Sequence, residues 1–301
     1  MTIRIVPTEL PTIQDAINAS SSGDSIQILA GTFDGFNVNV ERLKIFGCGI
    51  GKTIIAGDPA AASPNGINVN MNQTILQGFT VQNFPVSGIE INSSQNTLKD
   101  IEVKFSNQGA NIEINDNNNL LINCSSFFSQ FEGIEIDGLH NCLLRCESSQ
   151  NTFEGFQLFD INNILINNLA KNNRSDGFEI NEPNQILFNN KSISNEALGI
   201  QVDEDQNTVI GNLVCNNIQS GILVDNNVFD NCIDDNIVRN NGSFATNAGI
   251  RVESGAMNNT IRFNKAKNNF DLDIEEESGL FENTFDGNKC GVSFPPEICN
   301  P

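Results

Sequence analysis

A five-residue pattern, glycine followed by alternating apolar and polar residues, returns along this chain every 22 residues, at Gly133, Gly155, Gly177, Gly199 and Gly221. It reads Gly133-Ile134-Glu135-Ile136-Asp137, then Gly177-Phe178-Glu179-Ile180-Asn181 and Gly199-Ile200-Gln201-Val202-Asp203. Earlier copies start at Gly66, Gly88 and Asn111; later ones start at Gly249 and, in worn form, at Asp271. A fixed period of this size means stacked copies of one supersecondary unit. Alternation with period two makes that unit a set of strands and excludes helical repeats. Asn-led segments such as Asn141-Cys142-Leu143, Asn163-Ile164-Leu165 and Asn207-Thr208-Val209 follow the same step, and a third Asn recurs at 151, 173, 195, 217, 241 and 269. Asn and Gly tolerate left-handed backbone and so suit corners. Short strands joined by such corners describe one coil of a right-handed parallel β-helix, an all-β solenoid. The repeats predict about ten coils of 22 residues, each ~4.8 Å above the last.

Stacking turns each sequence position into a column. One column reads Phe79, Ile101, Cys124, Cys146, Asn168, Asn190, Asn212, Asn236, Asn264 and Asn288. Its later members predict a ladder of buried amides hydrogen-bonded along the axis. Cys124 and Cys146 are accordingly expected to be interior thiols rather than metal ligands. Open β-edges need covering. Pro11 to Ala19, with apolar residues at 13, 16 and 17, predicts a short amphipathic N-terminal capping helix. The expected organisation is a single β-helix domain over 1–301. Residues 1–35 form the N-terminal cap and first rung, 36–288 the rungs, and 289–301 a C-terminal cap in which Cys290 and Cys299 form a disulfide.

Sixteen Lys and Arg stand against 37 Asp and Glu, a net charge of -21. This balance disfavours nucleic acid and anionic membranes and favours cations or basic partners. It also keeps a long solenoid soluble. No apolar run approaches the ~20 residues of a membrane span, so no membrane insertion is expected. The first residues lack the basic and apolar regions of a signal peptide. Trp and Tyr are absent, while Phe occurs 21 times, so Phe would have to supply any stacking surface for a sugar ring.

The run Pro11-Thr12-Ile13-Gln14-Asp15-Ala16-Ile17, with Ser22-Gly23-Asp24-Ser25-Ile26-Gln27-Ile28 and Gly31-Thr32-Phe33, resembles the N-terminal cap of the pectate-lyase-like β-helix superfamily. The later rungs resemble its carbohydrate-binding and sugar-hydrolase (CASH-type) repeats. The resemblance covers nearly the whole chain and is specific for fold rather than activity. It implies a cleft on the outer face of the sheet formed by the Gly-led strands. The outward columns there are rich in acids: Glu90, Glu113, Glu135 and Glu179 in one, Asp137, Asp203, Asp225 and Glu253 in the next. Glu132, Glu154 and Asp176 add carboxylates at the rung ends.

Stacked carboxylates repel one another, which leaves three readings: a solvated coat, a cation-bridged stripe, or paired acids for carbohydrate chemistry. The expected binding residues are Glu113, Glu135, Asp137, Glu179, Asp203, Asp225 and Glu253. Calcium is expected at Glu135, Asp137, Glu179 and Asp203. Glu113 with Glu135, or Glu135 with Asp137, could form a glycoside-hydrolase pair.

Arg251 with Asp225 and Asp203 is the nearest match to the calcium-and-arginine arrangement of pectate lyases, and Arg174 beside Asp176 is second. The Gly-His-Gly and Arg-Ile-Lys motifs of polygalacturonases and the histidine signature of alginate epimerases are absent, and His140 falls in a corner. Extra residues around Val228-Phe229 and Gly242-Ser243-Phe244-Ala245 flank Asp225 and Arg251. Two functions follow. One is a non-catalytic extracellular, cell- or spore-surface, phage or matrix protein whose acidic sheet binds glycan, calcium or a basic partner. The other is a calcium-dependent polysaccharide lyase or related enzyme acting on an acidic polysaccharide. A monomer or a trimer is compatible with either.

Overall fold

The glycine that opens each repeat is required by the closeness of the next coil. In the computed structural model, a Cβ on Gly199 would lie 2.4 Å from the carbonyl oxygen of Gly221 and 2.3 Å from Val214 Cγ1. Real Cβ atoms do not approach that closely, so the strand starts where only hydrogen fits. The structure describes residues 2–57, 65–243, 247–279 and 282–299. It groups the chain into two compact units, Met1–Thr152 and Phe153–Pro301.

In the first unit the Gly-led strands Phe36–Val38, Ile67–Val69, Ile89–Ile91, Ile112–Ile114 and Ile134–Ile136 pair in parallel with one another. Ile75–Gln82 and Thr97–Lys104 are long strands, each pairing over two faces of the coil. The second unit repeats the plan with Phe156–Leu158, Phe178–Ile180, Ile200–Val202, Ile222–Val224, Ala248–Val252 and Leu272–Glu276. As several other coils do, the coil that starts at Gly177 turns at three left-handed residues, Asn184, Asn189 and Ser194. Each is followed by a residue that points inward, here Gln185, Asn190 and Asn195. Three such corners per 22 residues produce three short faces. His140 is itself a left-handed corner residue with an exposed side chain.

The coils number about 13, which corrects the expected ten. The Gly-led coil at Gly35 is hidden because 31 residues separate it from Gly66. Ile3–Val6, pairing with Ser25–Ile28, and Ser293–Phe294, pairing with the strand before it, add coils that lack the glycine pattern.

The core is filled by the inward apolar columns, with Phe156 and Phe178 stacked at 4.8 Å. In the second unit the amide ladder runs as expected. Asn212 Nδ2 donates to Asn236 Oδ1 at 3.0 Å, Asn236 to Asn264 at 3.0 Å, and Asn264 to Asn288 at 3.1 Å. Each amide oxygen also accepts the backbone N–H of the preceding coil's Asn, as in Asn190 N to Asn212 Oδ1 at 2.7 Å. In the first unit Cys124 and Cys146 are buried, and burial, then the neighbouring Cys146, pushes the Cys124 thiol well up. They are stacked thiols.

Ile13–Asn18 is the only α-helix among the described residues. Thr12 caps it by accepting the Asp15 N–H at 3.0 Å, and it buries Ile13, Ala16 and Ile17. Cys290 and Cys299 are disulfide-bonded. Of the inserted loop, Phe229 bridges to Met257, while Phe244 and Ala245 lie outside the described residues.

Candidate carboxylate sites on the Gly-led sheet

In the first unit, parallel register sets Glu90, Glu113 and Glu135 side by side on successive strands. All three are half-buried. Ser87 Oγ donates to Glu113 Oε1, and Asn65 Nδ2 donates to Glu90 Oε2. Burial raises Glu113 from its ordinary value against the Ser87 bond, and Glu90 and Asp137 add to it. Glu135 is pushed up to about 8, first by burial and then by the charges of Asp137, Glu132 and Glu113. Its carboxyl hydrogen-bonds Asp137. At neutral pH Glu135 therefore keeps its proton within this cluster of acids.

In the second unit, two carboxylates at the rung ends are nearly inaccessible: Glu154 at 9% and Asp176 at 5%. Ser175 Oγ donates to Glu154 Oε1, and the Leu198 N–H donates to Asp176 Oδ1 at 2.6 Å. Burial lifts Asp176 to about 7 despite that N–H, and Glu154, Glu179 and Asp203 contribute. Burial and Glu154 raise Glu179, which accepts from Gln157 Nε2. Asp203 accepts from Gln201 Nε2 at 2.8 Å, yet burial and Asp225 lift it to about 7.

Burial alone would also raise Asp225. The Asn226 N–H, with hydrogen bonds from Glu253 and Asp203, instead holds it below the usual range. Asp203, Asp225 and Glu253 thus form a row in which the central acid is ionised and the outer two are raised.

Arg251 stands at the end of that row. Its guanidinium contacts Glu277 at 2.7 Å, Glu275 at 3.5 Å and Glu253 at 3.6 Å. Burial would lower it, but these three carboxylates together raise it further. An arginine held this way keeps its proton, which opposes a role as base. Leu223 lies between Gln201 and Arg251 in register and interrupts the polar column. Arg174 is exposed, whereas its neighbour Asp176 is buried.

The expected site residues therefore divide into two sets, Glu113, Glu135 and Asp137 in one unit and Glu179, Asp203, Asp225 and Glu253 in the other. The four calcium candidates divide with them. Their oxygens are of the type calcium takes. Among the described residues, however, no group of three or more His, Cys, Asp or Glu is arranged to hold a metal ion. The acids instead bond to each other and to amides, and this arrangement does not fit a resident ion.

The expected binding set omitted Glu154, Asp176 and Ser87. Glu132, Glu154 and Asp176 do recur in the sequence at a step of 22, directly before each opening glycine.

The right-handed β-helix region family model matches residues 123–266 and 167–294. The fold is similar to that of the A-module of mannuronan C-5 epimerase AlgE6 from Azotobacter vinelandii, at a TM-score of 0.80 and 16% identity, covering 93% of this chain and 88% of that one. It is also similar to a PL6 family polysaccharide lyase from Pseudopedobacter saltans, at a TM-score of 0.64 and 15% identity over 93% and 89% of the two chains. A third similar structure is ORF18 of Geobacillus virus E2, at a TM-score of 0.61 and 14% identity, covering 92% of this chain and 56% of that one. No curated protein sequence matches. Overlapping matches spanning residues 123 to 294, together with coils that pair in parallel throughout each unit, show that the chain belongs to the right-handed β-helix region family.

Proposed function

We propose that this chain is a carbohydrate-active protein that works on an acidic polysaccharide through the outer face of its Gly-led strands. The observation that carries this reading is the stacking of half-buried carboxyls on that accessible face, Glu90, Glu113 and Glu135 in one unit and Asp203 beside Asp225 in the other, with Glu135 and Asp203 raised first by burial. Perturbed acids gather at functional sites. A carboxyl that keeps its proton at neutral pH can also donate it to a glycosidic oxygen while its ionised neighbour serves as base. In the first unit Glu135 is the acid; in the second, Asp203 is the acid and Asp225 the base.

The epimerase and lyase among the similar folds support the polysaccharide class. No step is routed through calcium. The reading places the protein outside the cell or on a surface, where such polymers occur. It also gives the Ile13–Asn18 helix the role of N-terminal cap.

Incubation with a panel of polyuronates tests the proposal. Absorbance from unsaturated ends reports elimination, reducing ends without absorbance report hydrolysis, and a changed residue ratio by NMR reports epimerisation. The double variant Glu135→Gln/Asp203→Asn should abolish whichever product forms, and the single variants show which unit forms it. A second reading, glycan binding without turnover, is favoured by the state of Arg251, which is clamped by three acids. Saturable binding with no product in any assay would select it. Neither binding nor product would sink both.

A further inference from the structure

The second unit carries a row of cations that the carboxylate chemistry does not use. Arg239 and Lys267 face each other in register on the strands Ile237–Arg239 and Lys265–Lys267. Lys265 in turn faces Lys289 across a β-bridge. All four side chains are exposed. Like charges one strand apart, at ~4.8 Å, destabilise a sheet. Among the described residues, only Lys265 of the four makes an ion pair, with Asp235 at 3.7 Å, and both of those side chains are more than half exposed, at 54% and 64%. The side chains of Arg239, Lys267 and Lys289 make no hydrogen bond or ion pair with any described residue. Nothing described in the fold offsets their repulsion, in a chain whose net charge is -21.

Beside the row stands Phe263, half exposed at 50% and held in the left-handed conformation at φ 55°. Equivalent corners in preceding coils of this unit are Asn167, Asn189, Gly211 and Asp235, types that accept that conformation readily. A bulky aromatic replaces those types at this corner, as Phe105 and Phe128 do at other corners of the chain. Its ring covers the next coil, where a Cβ on Gly287 would lie 2.5 Å from it. The Arg262 guanidinium lies 5.8 Å from the ring centre.

We propose that Arg239, Lys265, Lys267, Lys289 and Phe263 form a second glycan-binding surface, away from the Gly-led sheet, that holds an acidic polysaccharide. A sugar ring stacks on Phe263, and the polymer's carboxylates follow the cation row. This rests on the reading that the ligand is an acidic polysaccharide, and it supplies what the carboxylate face lacks, an attraction for a polyanion.

Affinity electrophoresis in polyuronate gels, repeated over a range of salt, tests it with three variants: Arg239→Gln/Lys267→Gln, Lys265→Gln/Lys289→Gln and Phe263→Asn. Each double variant should weaken binding about tenfold or more. It should also lower the dependence of affinity on salt by roughly one unit per lost contact. Phe263→Asn should weaken binding at unchanged salt dependence and leave the melting temperature equal or higher, which excludes misfolding as the cause. If the wild type binds and all three variants match it, the inference fails while the polysaccharide reading stands. If binding is lost in the variants and the wild type yields no product, the inference stands and catalysis falls. A wild type that binds no polyuronate removes both. Equally tight binding of single-stranded DNA, weakened by the same variants, would make the row a nucleic-acid site and overturn the assignment to glycan.

Discussion

Glu135 and Asp137 sit two residues apart, on and just past the Gly-led strand Ile134–Ile136, and the Glu135 carboxyl hydrogen-bonds Asp137; burial first, then the charges of Asp137, Glu132 and Glu113, push it up to about 8. A raised folded-state value means that the native protein binds more protons than the unfolded chain between the ordinary glutamate range and pH 8. The associated stability is complete below that range and is lost as pH rises through 8. Asp176 and Asp203, each lifted to about 7, act in the same direction. The melting temperature should therefore fall between pH 5 and 9. Glu135→Gln should flatten the upper part of that fall by roughly 1 kcal/mol, the scale of partly screened acids, or about 2–4 °C. A profile identical to wild type would show that Glu135 is ionised throughout.

At the acid end the sign reverses. Asp24 accepts hydrogen bonds from the Ser21 and Thr2 N–H groups and from Arg4, which hold it near 2. Its contribution is present above the ordinary aspartate range and disappears as pH falls through 2. Asp24→Asn should erase the part of acid unfolding that wild type shows below pH 4. An unchanged acid limb would assign that limb to other carboxylates.

The interior amides are structural in a way that substitution can measure. Asn212 accepts the Asn190 N–H at 2.7 Å and donates to Leu187 O at 3.0 Å and Asn236 Oδ1 at 3.0 Å. Asn212→Ala strands several buried partners and should cost about 2–4 kcal/mol in urea unfolding. Gly199→Ala, pressed against Gly221 O and Val214, should cost about 1–3 kcal/mol. At Gly49 a Cβ would meet nothing within 4 Å, so Gly49→Ala is limited to the strain of its φ of +119°. A smaller loss at Gly199 than at Gly49 would contradict the packing account.

Reading by columns recovered the ladder, the thiol stack and the acidic faces, because coil stacking preserves position when the step stays at 22 residues. It undercounted coils where the step breaks, as between Gly35 and Gly66. It named Asp176 at a rung end but left it out of the binding set, because its burial is not read from strand position. The cation row was hidden for a related reason. Arg239 and Lys267 are 28 residues apart and Lys265 and Lys289 are 24 apart, so neither pair follows the main period. Protonation states were not legible either, since they depend on how far the corner loops screen each carboxyl from water.

Calcium separates two descriptions of these acids. If the raised acids keep their protons in mutual hydrogen bonds, a divalent ion must displace them before it can bind. A charged surface without a converging ligand set would also attract calcium and magnesium alike. Millimolar calcium, against an EDTA control, should therefore shift the melting temperature at pH 6 no more than equal magnesium does. Any gain selective for calcium should emerge only near pH 9, after Glu135 ionises. A rise of several degrees with calcium alone at pH 6, removed by Asp203→Asn or Glu135→Gln, would replace the proton-shared rows with a resident ion.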